Sequence, residues 1–229
     1  MFVIVYLLFF GRATGAMTTK PKNRREQILH EATRLFAQHG FTGTSLRVIA
    51  KACAITEAAI YRHFPSKIAL YEAVIHRKAD QHDIARFLEK SGGQGDIEMV
   101  LTTVAEHILG FIETDPELLR LMHANSLESG PVAAVLFKEV RLPYISYLTR
   151  ELKRRIAAHE VCDIDPFITS RCFIGMVMDC ALSVDTWSKI SDFEFIPGDV
   201  ICNNVPIFAK GLTREPTTVE IRQQPGRSA

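Results

Sequence analysis

Apolar residues recur at intervals of three and four positions along nearly the whole chain after residue 22. That spacing places them on one face of an α-helix, as Ile28, Leu35 and Phe36 are in the first such segment. The alternation with a period of two that is typical of strands does not run for any convincing length. The pattern therefore predicts an all-α protein. Its predicted helices are 24–39, 45–52, 56–63, 66–90, 97–113, 116–128, 132–160, 166–188 and 198–211.

Individual residues mark the ends of these helices. Gly40 can adopt the left-handed conformation that closes a helix, and Phe41 after it is expected to plug the space beneath. Short oxygen-bearing side chains favoured at helix N-caps stand before the next three helices, at Thr44, Thr56 and Ser66. Pro143 should kink or split the helix predicted over 132–160, because proline cannot donate a backbone hydrogen bond.

The two short helices at 45–52 and 56–63 fit a helix-turn-helix template. Ala50 is small enough to let the helices touch, and Ile55 and Ile60 supply apolar side chains beneath the second one. The turn between them needs a sharp bend, normally made by glycine, but carries Ala54. Many helical hairpins share this pattern, so alone it is a moderately specific sign of DNA binding.

Charge is distributed unevenly. Residues 1–67 contain 10 Lys/Arg against 3 Asp/Glu, whereas residues 68–229 contain 17 against 23, and the whole chain has a net charge of +1. A basic first third suggests contact with a polyanion; a solvated lysine-rich tail is the alternative. Lys20, Lys22, Arg24 and Arg25 form a basic arm that could enter a DNA minor groove or remain solvated.

The chain opens on MFVIVYLLFF, which is too short to span a bilayer and has no basic residue before it. We interpret residues 1–19 as an over-long start or a disordered segment, with a cleaved secretory signal as the alternative. The polar, proline-containing tail 213–229 is also expected to be disordered. The five cysteines lack paired spacing, so neither a disulfide framework nor a metal site is predicted, and a cytoplasmic location fits their use.

The run FTGTSLRVIAKACAITEAAIYRHFPSKIALYEAVI resembles the N-terminal domain of the TetR family of bacterial transcriptional regulators. The resemblance is dense over about residues 23–75 and most specific in the string IYRHFPSK. It implies a three-helix DNA-binding domain at 20–67, followed by a larger helical domain at 68–212 that binds an effector and dimerises. In the latter part little matches a family motif.

The resemblance also implies roles for individual positions. Thr44, Ser45, Tyr61 and Lys67 match phosphate-contacting positions, while the front of the second short helix matches the part that reads base edges. Taking Ile60 as buried, helical geometry independently turns the flanking polar residues outward. The full set of predicted DNA-binding residues is Thr44, Ser45, Arg47, Thr56, Glu57, Ala58, Ala59, Tyr61, Arg62, His63 and Lys67.

The chain departs from the family pattern at the front of this helix. Glu57, Ala58 and Ala59 stand where many members have lysine, glycine and threonine. A glutamate can accept a hydrogen bond from cytosine, and alanine methyls can touch thymine methyls. We therefore expect a sparse direct readout of bases, carried mainly by Glu57 with Arg47 or Arg62.

In the C-terminal part, the helices at about 166–188 and 198–211 are the expected dimer interface; a core helix of a monomer is the alternative for the first. The helix 66–90 is expected to act as a continuous lever between DNA and effector. Aromatic and methionine residues suggest a mainly apolar effector, although such residues are more often plain core. The predicted effector residues are Phe111, Met122, Phe137, Tyr144, Tyr147, Phe173, Met176 and Trp187.

Together these features predict a homodimeric repressor that binds a palindromic operator in double-stranded DNA and is released by a small-molecule effector. The alternatives are an activator, a ligand-independent repressor, or a helical small-molecule-binding protein or enzyme without DNA binding. The sequence contains no Ser/His/Asp set, paired-carboxylate motif, glycine-rich phosphate loop or metal-ligand spacing. We therefore predict no enzymatic activity, no cofactor and no membrane partner.

Overall fold

The computed structural model describes residues 23–91, 93, 95–124, 130–190 and 196–213. Throughout these ranges the regular structure is helical, which confirms the predicted all-α class. Disorder is predicted for 1–19 and 213–229; residues 1–19 and 214–229 lie outside the described residues, whereas Thr213 is the last residue of a helix. The helices are α1 Arg24–Gly43, α2 Leu46–Ala52, α3 Glu57–Tyr61, α4 Lys67–Gln81, α5 Ile84–Ser91, α6 Ile97–Thr114, α7 Pro116–Ala124, α8 Pro131–Leu136, α9 Leu142–Ala157, α10 Pro166–Ile190 and α11 Pro197–Thr213.

The chain packs as two units. The first contains the described residues up to Ile84 together with Gly110–Val140, and in it α1 packs against α2, α4 and α7. The second contains Ala85–Leu109 and the described residues from Arg141 onward, with α10 packed against α9 and α11. Residues 68–84 thus pack with the helix-turn-helix segment. The predicted boundary at residue 67, between a DNA-binding domain and an effector-binding domain, concerns function and stays a prediction.

Apolar burial holds each unit together. The largest fully buried side chains of the first unit are Phe36, Ile28, Ile49, Ile60, Tyr71, Leu70 and Ile75. In the second unit the corresponding residues include Tyr144, Phe173, Leu101, Ile108 and Leu109. Burying a side chain of this size contributes about 1.5–3 kcal/mol relative to leaving it exposed.

The helix ends confirm two of the three predicted caps and correct the third. Thr56 accepts a hydrogen bond from the Ala59 N–H at 3.2 Å, and Ser66 accepts one from the Ala69 N–H at 3.1 Å. The predicted cap Thr44 is wrong, because Ser45 caps α2 by accepting from the Val48 N–H at 3.3 Å.

The helix predicted over 66–90 is not continuous. It ends at Gln81 and restarts at Ile84, with Asp83 between them in the left-handed conformation at φ = 51°. Aspartate tolerates this conformation better than most residues, so the break occurs without the glycine or proline that usually signals one. Because Ile84 and Leu88 are buried, the chain gains apolar burial by restarting as a helix after the break.

The helix predicted over 132–160 is split, as Pro143 predicts. A π-helical turn, Phe137–Arg141, separates α8 from α9, and Pro143 lies in the first turn of α9. Proline lacks the N–H that would continue the ladder of hydrogen bonds, so the backbone before it widens into a π turn. Within the described part of the chain, no helix is long and apolar enough to cross a membrane.

Candidate DNA-binding surface

The helix-turn-helix is built around a tight, strained turn. The Ile55 N–H donates to the Ala50 carbonyl at 3.0 Å, and the Cys53 N–H donates to the Ile49 carbonyl at 3.0 Å. Ala54, between them, has φ = 52°, so it occupies the left-handed position that the template reserves for glycine. The Gln27 side chain donates to the Cys53 carbonyl at 3.3 Å and fastens the turn to α1.

Helix α3 presents its polar residues to solvent, as the sequence predicts. Ile60 is completely buried and Phe64, just after the helix, is also buried, so the two anchor the segment in the core of the first unit. With these two residues inward, the opposite side is open. The exposed residues on and around α3 are Thr56, Glu57, Ala58, Tyr61, Arg62 and His63, and Ala59 is half-buried.

Tyr61 has an exposed fraction of 52%, high for an aromatic residue. Exposing such a ring gives up the free energy of burying it, so packing does not explain its position. A phenol hydroxyl at the end of a reading helix can donate to a phosphate oxygen. Its placement fits the predicted phosphate contact.

The residues before α3 fall into two groups. Ser45 and Arg47 are exposed at the start of α2 and can approach a ligand. Thr44 has an exposed fraction of only 1%, and its hydroxyl donates to the Gly40 carbonyl at 2.9 Å and lies 3.1 Å from the Leu35 carbonyl. The Thr44 side chain therefore fixes the end of α1 and does not line the surface.

Two positively charged side chains of the first unit lie against aromatic rings. The Arg25 guanidinium is 5.0 Å from the centroid of the Phe64 ring, and the Lys67 ammonium is 4.2 Å from that of Phe41. Sequence reasoning assigned Phe41 only to packing and missed its contact with Lys67. The spacing along the chain gives no signal for this contact, because it depends on how α1 and α4 pack.

The predicted effector residues are divided between the units. Phe111, Met122 and Phe137 belong to the first, the first two buried and Phe137 exposed. The second contains the buried Tyr144, Tyr147 and Phe173 and the half-buried Met176. The side chain of Trp187 lies outside the described set.

Each unit also has a shallow groove on its surface. The groove of the first unit, about 380 Å³, is lined by residues of α4 and of the α8–π segment, among them His76 and Glu139. The groove of the second unit, about 270 Å³, is lined by the start of α6 and the end of α11. Of the seven predicted effector residues with described side chains, none lines either groove.

One polar cluster in the second unit involves a predicted effector residue. His107 Nδ1 lies 2.6 Å from the Tyr144 hydroxyl, and the His107 ring stacks on Phe87 with centroids 3.7 Å apart. Burial raises the pKa of Tyr144 above its usual range, so this hydroxyl stays protonated. His107 is therefore held in place by a hydrogen bond and a ring contact within the second unit.

Comparisons with known proteins agree with this geometry. Residues 28–74 match the family model of bacterial regulatory proteins of the tetR family. The HTH-type transcriptional regulator UidR of Escherichia coli strain K12 is 24% identical over 183 residues, 80% of this chain and 92% of UidR.

Solved structures share the fold. One is a transcriptional regulator FadR from Bacillus subtilis in complex with stearoyl-CoA, with a TM-score of 0.66, 16% identity, and coverage of 81% of this chain and 98% of that one. Another is AibR in complex with isovaleryl coenzyme A and operator DNA, with a TM-score of 0.60, 22% identity, and coverage of 81% and 97%. With the outward face of α3, these likenesses show that residues 28–74 form a helix-turn-helix domain of the tetR type and that the chain shares the fold of these regulators.

Proposed function

We propose that the protein is a repressor that binds a palindromic DNA operator as a homodimer and loses operator affinity when a small-molecule effector binds. The observation that carries the proposal is α3, a helix anchored by the buried Ile60 whose opposite face is open and polar. Such a helix can enter the major groove of DNA. The proposal assigns the chain to the cytoplasm and gives it no catalytic activity.

The DNA contacts divide into positioning and reading. Ser45, Tyr61 and Lys67 would contact phosphates, and the N–H groups at the start of α4 favour an anion there. Arg47 and Arg62 are exposed cations that can reach a base or a phosphate. Glu57 cannot bind phosphate, so its exposed carboxylate at the front of α3 would accept from cytosine.

Dimerisation is supported by exposed apolar side chains on α10 and α11. Ile168 on α10 has an exposed fraction of 58%, and Ile207 on α11 one of 64%. A methyl group added at Gly175 would meet no described atom within 4 Å, so another helix has room to approach. A second copy of the chain would cover both isoleucines, and a dimer supplies the two α3 helices that a palindrome requires.

Effector binding is supported by the structural neighbours. FadR and AibR were each solved with an acyl-coenzyme A, so thioesters of this class are the first ligands to test. The buried aromatic residues Tyr144, Tyr147 and Phe173 are the residues of the second unit that we expect to surround an acyl chain. The effector would act only through different affinities for the DNA-binding and released conformations.

Selection of a bound duplex from a randomised pool tests the proposal. The selected sequence should be palindromic, and the logarithm of the binding constant should fall linearly with the logarithm of salt concentration between about 50 and 200 mM. Lys67→Ala should flatten that slope by about 1, whereas Lys153→Ala, an exposed cation of α9, should leave it unchanged. Failure to enrich any duplex at low salt would refute DNA binding and favour a helical small-molecule-binding protein.

The effector part of the proposal needs a separate measurement. Adding an acyl-coenzyme A should release the selected duplex, as followed by fluorescence anisotropy. Tightened binding would indicate that the ligand favours the DNA-binding conformation, and no response to any ligand class would indicate a ligand-independent repressor. A reporter gene behind the operator distinguishes a repressor from an activator.

The same selection tests the role of Glu57. Glu57→Ala should relax the preference at one C·G pair in each half-site, because the carboxylate that accepts from cytosine is gone. A good base contact discriminates by about 1–3 kcal/mol, so the change should be visible in the selected sequences. Unchanged base preference would show that Glu57 does not read DNA.

A further inference from the structure

Lys67 lies on an aromatic platform. Its ammonium nitrogen is 4.2 Å from the centroid of the Phe41 ring, within the range of a cation–π contact. The Phe41 ring stacks on Phe36 at 5.9 Å with an interplanar angle of 19°, and it meets Tyr71 edge-on at 5.3 Å. Because Phe36 and Tyr71 are fully buried, the core of the first unit fixes the ring that faces Lys67.

The backbone at the end of α1 also fixes Phe41. Gly40 has φ = 70°, which turns the chain so that the next residue leaves the helix direction. The Thr44 hydroxyl donates to the Gly40 carbonyl at 2.9 Å and locks this turn from the inside. Thr44, which matches a phosphate-contacting position of the family, thus holds Phe41 in place from a buried position.

The position of Lys67 needs such a support. Lys67 is the first residue of α4, where the helix dipole is positive and a cation is disfavoured. A free lysine side chain also loses considerable rotamer entropy when it is ordered against a phosphate. The negative face of the Phe41 ring offsets the unfavourable interaction of the Lys67 ammonium with the helix dipole. The ring also restricts the ammonium before DNA binds, which reduces the rotamer entropy lost on binding.

We propose that Phe41 is a positioning residue for DNA binding, whose ring holds the Lys67 ammonium where the N-terminus of α4 meets a phosphate. This rests on the proposed DNA-binding function. An ammonium group carries three N–H donors, so lying over a ring does not prevent it from donating to a phosphate oxygen. Phe41 touches the lysine and the core, and it acts on DNA through Lys67.

A double-mutant cycle on the full chain tests this, using the duplex selected by the wild-type protein. Phe41→Leu keeps an apolar side chain but removes the ring, and Phe41→Tyr keeps the ring face. Each is made with Lys67 present and in combination with Lys67→Ala. Dissociation constants are measured at one fixed salt concentration, and thermal unfolding is recorded for every variant.

With Lys67 present, Phe41→Leu should weaken DNA binding about two- to fivefold, and Phe41→Tyr should bind like the wild type. Combined with Lys67→Ala, Phe41→Leu should cause no further loss. A purely structural role would give the same loss in both backgrounds, and that result would overturn the proposal. So would unchanged affinity of Phe41→Leu with Lys67 present.

Two further points separate the possible failures. If Phe41→Leu does not fold, Phe41→Met replaces it, because the flexible methionine side chain fills irregular space without a ring. If the wild-type protein enriches no duplex, the proposed function itself is refuted. If the wild type binds DNA but Phe41→Leu causes the same loss of affinity with and without Lys67, only the proposed role of Phe41 is refuted.

Discussion

At the scale of single residues, the turn of the helix-turn-helix carries a local strain. Ala54 has φ = 52°, and its methyl group makes that conformation unfavourable by about 1–2 kcal/mol relative to glycine. The surrounding hydrogen bonds from Cys53 and Ile55 to α2 hold it there. The tertiary packing of α2 and α3 therefore offsets a cost that the sequence imposes.

Ala54→Gly should raise the free energy of unfolding by about 1 kcal/mol, because it removes the Cβ clash while adding some entropy to the unfolded chain. Urea denaturation measures this. The matched control is Ala52→Gly, an exposed alanine at the end of α2 with ordinary helical geometry, which should lose about 0.5–1 kcal/mol. Destabilisation by Ala54→Gly would contradict the strain argument.

At the scale of helices, α4 is tied to the start of α7 by buried charges. The Lys78 ammonium donates to the two Asp115 carboxylate oxygens at 2.9 and 3.1 Å and to Glu117 at 2.7 Å. His82 Nε2 lies 2.9 Å from Asp115, whose carboxylate also accepts from the Leu118 N–H at 3.0 Å. Because the helix breaks after Gln81, this cluster lies near the C-terminal end of α4.

The cluster shapes the acid stability of the first unit. Burial alone would raise the pKa of Asp115, but hydrogen bonds from His82, the Leu118 N–H and Lys78 overcome it and hold that pKa well below its usual range. A carboxylate with a lowered folded-state pKa contributes stability above its unfolded pKa, about 3.9, and loses it as the pH falls further. Its contribution is therefore complete at neutral pH.

Asp115→Asn should lower the free energy of unfolding by roughly 3 kcal/mol at pH 7, because it removes the buried carboxylate partner of Lys78 and leaves only the more exposed Glu117. The difference from wild type should shrink as the pH falls below about 4. Urea denaturation at several pH values measures both effects. Glu117→Gln, at a more exposed partner of the same lysine, is the control and should cost under about 1 kcal/mol. A difference that does not change with pH would contradict this account.

At the scale of the whole molecule, α10 and α11 carry large apolar side chains that are exposed in a single copy of the chain. Ile168 and Ile207 are among the most exposed large apolar side chains of the described residues. Leaving them in water forgoes the free energy of burial, and a second copy of the chain would recover it. Two reading helices also need a fixed separation to bind a palindrome, which a dimer provides.

Ile207→Glu should convert the proposed dimer to a monomer, because the proposed interface would then bury a carboxylate without a partner on each side. Sedimentation velocity measures the change in mass. Met99→Glu is the matched control, because Met99 is an exposed apolar residue of α6 in the same unit, with an exposed fraction of 56%. If Ile207→Glu sediments as the wild type does, the interface does not include this face of α11.

Much of the fold follows from local pattern. Period 3.6 predicted the helices, and Gly40 and Pro143 act where the sequence puts them, because a left-handed glycine and a missing N–H are properties of one residue. The cap at Ser45 was missed because Thr44 has an equally suitable side chain. Thr44 does not cap α2 because its hydroxyl is already hydrogen-bonded to backbone carbonyls of α1.

By itself, then, the sequence determined the helical class, the helix-turn-helix with its outward polar face, and the resemblance of residues 28–74 to the tetR type, since these depend on the order of residues along a few turns. The tertiary structure decided the break at Asp83, the burial of Lys78 with Asp115 and the position of Lys67 on Phe41. Each of these joins residues from different helices or depends on what a buried side chain gains elsewhere. Such contacts are set by packing, which local periodicity does not encode.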